Sequence, residues 1–116
     1  MRYAPYLIAA ALVLAASHLG LPRALGAHPF WDTKIAWAGV PIGLIAALAL
    51  ARLNHKLRLA LFALALIATG VAAHFGRLEF AASFAENATA GRFWYFGWIG
   101  VAASATALIA ALASRR

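Results

Sequence analysis

LRLALFALALIATGVAAHFG, residues 57–76, is the stretch on which the fold turns. Its only formal charge is Arg58, at the second position, and its only other titratable side chain is His74, near the far end. About 20 consecutive apolar residues, at 1.5 Å of rise each, cover the roughly 30 Å hydrocarbon core of a bilayer. Lipid offers no hydrogen bonds, so a crossing segment must satisfy its backbone internally. A helix is the one open-ended structure that does so.

Three further apolar stretches flank this one, at residues 3–21, 35–51 and 93–113. Polar or charged breaks separate them: Pro22-Arg23, the His28-to-Lys34 loop, the Arg52-to-Lys56 turn, and a longer segment over residues 77–92. The expectation is an all-α membrane protein in one domain, residues 1–116, with four transmembrane helices in an up-down bundle. In residues 77–92, Leu78, Phe80, Ala81, Phe84 and Ala85 fall near helical spacing between Glu79, Ser83 and Glu86. That pattern predicts a short amphipathic helix lying in the interface in the third loop.

Composition agrees. Hydrophobic residues make up 66% of the chain and charged residues 11%, where a soluble domain carries about 25% charged residues. The net charge of +7 would suggest nucleic acid in a soluble protein. Here basic residues flank spans, so no nucleic-acid partner is expected. There is no cysteine, hence no disulfide, thiolate metal site or Cys nucleophile. Arg2, the apolar run over residues 7–16 and Ala15-Ala16-Ser17 are shaped like a signal peptide. We expect that segment to be retained as the first span.

Orientation follows from the basic flanks. Arg2, Arg52, Lys56, Arg58, Arg115 and Arg116 gather on one side; Arg23, Lys34, Arg77 and Arg92 lie on the other, with all three acids, Asp32, Glu79 and Glu86. The bias predicts a multi-pass protein of a bacterial inner membrane with both termini cytoplasmic. All four tryptophans, Trp31, Trp37, Trp94 and Trp98, then fall at the outer boundary. An interfacial belt explains such residues, but belts usually mark both boundaries. The lopsided cluster hints at a contact on the outer face.

Helices in lipid associate through close backbone approach, which small residues permit. The second span carries Gly39, Gly43, Ala47 and Ala51 at intervals of four. This stripe is expected either to hold the bundle together or to dock another subunit. Pro41, within the same span, cannot donate to the Trp37 carbonyl and should bend the helix. Weaker small-residue rows occur at Ala68, Ala72 and Gly76 and at Gly100 and Ser104.

No Asp, Glu, Lys or Arg lies in the middle of any span. Ion-coupled carriers generally keep one there. Small four-helix multidrug exporters are similar in size, but they rely on a membrane-embedded glutamate in the first helix, which this chain lacks. No phosphate-binding glycine loop, His-Glu-x-x-His or Ser-His-Asp arrangement occurs, so no catalytic activity of its own is expected. Four histidines remain. His55 sits in the basic inner flank. His18 and His74 lie at matched depth near the outer ends of the first and third spans. Two such imidazoles could ligate a b-type haem, or a metal ion together with His28 or an acid; one could ligate a magnesium-porphyrin pigment, with Gly70 leaving room for a flat ring. Interfacial imidazoles bonded to backbone or water are the plainer reading.

By elimination and from the small-residue stripe, the leading expectation is an accessory subunit of a larger inner-membrane complex, such as a respiratory or photosynthetic one. Its partners would be lipid and other membrane subunits. Two alternatives stand beside it: a haem- or metal-binding electron-transport carrier using His18 and His74, and a homodimeric small-molecule carrier.

Overall fold

A computed structural model describes residues 3–25, 34–82 and 88–114. These are helical almost throughout, with no strand among them. The elements are α1 (Ala4–His18), α2 (Leu21–Leu25), α3 (Lys34–Ala49), α4 (His55–Ala82) and α5 (Ala88–Ser114).

Local chemistry sets several ends. Pro5 occupies the first turn of α1, where its missing N–H costs nothing. After His18 the chain reaches Gly20 at φ 90°, a left-handed conformation that glycine adopts without a Cβ penalty and that commonly closes a helix. Asn54 precedes α4, and its side-chain Oδ1 accepts a 2.8 Å hydrogen bond from the Lys56 amide, satisfying a first-turn donor as an N-cap does.

With 28 and 27 residues, α4 and α5 are about 42 and 40 Å long. Both are long and apolar enough to cross a membrane, with mean hydropathies of 2.0 and 1.8 over their most apolar windows. At 15 and 16 residues, α1 and α3 are about 22 and 24 Å long. Both fall short of the stretches at 3–21 and 35–51, because Gly20 stops α1 and the chain turns at Leu50.

The third loop also departs from expectation. Leu78, Phe80 and Ala81 continue α4 instead of opening a separate interfacial helix. Nothing in residues 76–82 breaks a helix, since Gly76 is buried and no proline follows. Phe80 is held in place by α5: its ring lies against Gly91 and 5.8 Å from the Trp94 ring. Phe84, Ala85 and Glu86 lie outside the described residues.

The bundle is organised around α5, which packs against α4, α3 and α1. Among the described residues the α1 backbone also comes close to that of α3, but the α4 backbone comes close to neither α1 nor α3. Facing residues fix the directions. Gly39 of α3 opposes Ile99 and Ala102, and Gly43 opposes Ala103 and Thr106, so α3 runs parallel to α5. Thr69 opposes Gly100 and Ala73 opposes Gly97, so α4 runs antiparallel to it. Directions therefore alternate along the chain, as in an up-down bundle. The ring of sequential neighbours is replaced by three helices round a central one. Ala9, Ala47, Phe62, Ala107, Ala110 and Ala111 form one buried core near the C-terminal end of α5.

Candidate functional site

The small residues of α3 meet α5. A Cβ at Gly39 would lie 2.6 Å from the Ala102 Cβ and 2.7 Å from the Ile99 carbonyl oxygen. One at Gly43 would collide with the Ala103 carbonyl oxygen and come within 2.8 Å of the Thr106 Cβ. Ala47 is buried further along, whereas Ala51 lies beyond the end of α3 and is exposed. The buried part of the stripe is thus occupied within the chain. On α4 the contact face is Phe62, Thr69, Ala73 and Gly76; Ala68 points outward.

Two threonine hydroxyls serve the tight packing. Thr106 donates to the Ala102 carbonyl at 2.7 Å, and Thr69 donates to the Ala65 carbonyl at 2.7 Å. Back-bonding to the preceding turn leaves neither hydroxyl unsatisfied at an apolar interface.

At the end of the bundle where α1 finishes and α3 begins, Trp37 Nε1 donates to His18 Nε2 at 3.0 Å. The imidazole edge meets the indole with ring centroids 6.0 Å apart. Trp94 and Trp98 lie half-buried at the same end on α5. Trp31 and His28 lie outside the described residues.

His74 is exposed, with its ring 5.7 Å from that of Phe75. It stands on α4, His18 on α1, and the backbones of these helices approach α5 and not each other. Among the described residues, no cluster of three or more His, Cys, Asp or Glu side chains comes together. At the opposite end, Arg58 is only 5% exposed, and one of its terminal nitrogens lies 3.3 Å from His55 Nδ1. Sequence reasoning counted Arg58 only among the basic residues of the inner flank. Its position one turn before the buried Phe62 is the signal that places it inward.

Two clefts meet near Trp98. The larger, about 310 Å³, opens between α4 and α5 beneath α2 and is lined by Leu25, Leu66, Gly70, Ala73, His74, Arg77, Trp98 and Val101. The second, about 200 Å³, lies among α1, α3 and α5. It shares Leu25, Trp98 and Val101 with the first, and apart from Ser17 its lining is apolar. His74 lines the larger cleft; His18 lines neither. Gly70, His74 and Arg77 sit at i, i+4 and i+7, one face of a helix. That spacing is visible in the sequence and could have joined Arg77 to the other two.

The rest of the α4 surface faces outward. Leu57, Leu61, Leu64, Ala68, Val71, Phe75, Leu78 and Ala82 alternate by four and three, and all are exposed. Only 17% of the most apolar window of α4 is buried, against 44% for α5. Comparison with protein-family models, with curated proteins and with solved structures found no match.

Proposed function

We propose that this chain is a four-span protein of a bacterial inner membrane, with both termini cytoplasmic, serving as an accessory subunit of a larger membrane complex. The observation that carries the reading is the outward face of α4. Water-soluble monomers rarely expose contiguous apolar patches beyond a few hundred Å². Leu7, Ile8 and Leu12 of α1, Ile42, Ile45 and Leu48 of α3, and Phe93, Phe96 and Leu112 of α5 are exposed as well. All four longer helices therefore present large apolar side chains outward, and a bilayer accommodates that where water does not.

Lipid asks only that such a face be apolar. A repeat alternating by three and four residues along α4 also suits knobs-into-holes packing with another helix. The small-residue stripe of α3, the other surface suited to helix docking, is already filled by α5. The reading therefore places the partner subunit on α4.

The absence of cysteine makes this testable. Leu64→Cys and Val71→Cys, on the α4 seam, are compared with Ile45→Cys on α3 after thiol-directed photo-cross-linking in native membranes. Adducts of one discrete larger mass from both α4 positions, and none from α3, are expected. Adducts at none of the positions, or equally at all three, contradict a partner on α4.

A further inference from the structure

Within the membrane placement just proposed, we infer that the cleft between α4 and α5 binds one anionic phospholipid, with its phosphate on Arg77 and His74 and an acyl chain running along Gly70. The cleft is chemically graded. Arg77 and His74 supply the polar mouth; Leu66, Ala73 and Val101 supply an apolar floor. Arg77 lies 8.5 residues from the midpoint of α4, about 13 Å along its axis. That is near the edge of a hydrocarbon core about 30 Å thick, close to the depth of headgroups. A guanidinium there reaches outward to the interface, and its planar fork matches a phosphate in two parallel hydrogen bonds.

Charge complementarity selects the occupant. Among the described residues Arg77 forms no ion pair, and the nearest acid in sequence, Glu79, projects from a different face of the helix. His74 beside it is a second donor when its ring presents N–H. The groove also has room where a chain would pass. A Cβ built at Gly70 meets nothing within 4 Å, whereas those at Gly97 and Gly100 run into α4. Across Trp98 and Val101 the second cleft continues as an apolar crevice, which suits the second chain of a two-chained lipid.

The test is native mass spectrometry of the full chain released from nanodiscs. Three conditions are compared: phosphatidylcholine alone, phosphatidylcholine with phosphatidylglycerol, and phosphatidylcholine with inorganic phosphate. One phosphatidylglycerol adduct is expected to persist at energies that strip phosphatidylcholine. Arg77→Gln should weaken it about tenfold by removing the charge. Gly70→Leu should weaken it comparably by filling the groove, although position 70 is open and the fold tolerates the side chain. Equal retention of the two lipids, or adducts unchanged in both variants, overturns the inference while leaving the membrane placement intact. Retention of inorganic phosphate without lipid also overturns it, because the recognised group would then come from a soluble ligand. Failure of the chain to enter the nanodiscs contradicts the placement and the inference together.

Discussion

At the scale of single residues, the glycines divide by what stands opposite them. Gly43 faces the Ala103 carbonyl at a separation that leaves no space for a methyl group, while Gly70 faces open space. Both lie inside helices, where alanine is intrinsically favoured over glycine by about 1 kcal/mol. Gly70→Ala should therefore leave stability unchanged or raise it by up to about 1 kcal/mol. Gly43→Ala should lower it by about 1–3 kcal/mol, since α3 and α5 must move apart. Reversible unfolding of the two variants in mild detergent measures both; equal effects would mean that α3 does not close on α5 as described. Composition alone does not separate these glycines, because a small residue reads the same whether it meets a backbone or a void. The His18–Trp37 hydrogen bond is likewise hidden in a sequence. The residues are 19 apart, and only the antiparallel contact of α1 with α3 joins them.

At the scale of elements, α4 has two faces of different consequence. Phe62 is buried in the core, and Leu64, two residues later, points outward. Phe62→Ala should cost about 3 kcal/mol through the cavity it leaves. Leu64→Ala should change the stability of the isolated chain by no more than about 0.5 kcal/mol, as surface changes usually do, even where it weakens docking of a partner. Thermal unfolding of both variants in the same detergent checks the pair, and a large loss for Leu64→Ala would place that face inside the bundle. The positions of the four longer helices were legible in the sequence. Apolar runs interrupted by Pro22-Arg23, by the Arg52-to-Lys56 turn and by the charges of the other loops leave little choice of where helices lie. Their lengths and partners were less legible. Apolarity marks what lipid tolerates, whereas α4 continues past Gly76 because Phe80 finds Gly91 and Trp94 on α5. In an alanine-rich chain every helix carries rows of small residues, so the sequence pattern favoured 68, 72 and 76 on α4 where the contact face is 69, 73 and 76. Only shape complementarity across the pair distinguishes them.

At the scale of the molecule, the described part of the bundle measures 48 × 26 × 18 Å, a slab with its long dimension along α4 and α5. Both long helices exceed the roughly 30 Å hydrocarbon thickness; α1 and α3 fall short of it. A four-span reading asks these two to cross with the help of adjoining residues, local bilayer thinning or snorkelling side chains, each at modest cost. The alternating directions of α1, α3, α4 and α5 agree with it, since the two ends of α4, at His55 and Ala82, then lie on opposite faces. The most direct test is labelling by a membrane-impermeant maleimide of single cysteines introduced into this cysteine-free chain, in intact cells and in inverted vesicles. Arg52→Cys should label only in inverted vesicles and Glu79→Cys only in intact cells, with the protein resisting alkaline extraction from the membrane. Labelling of both positions from the same side, or release of the chain by alkali, would contradict the four-span account.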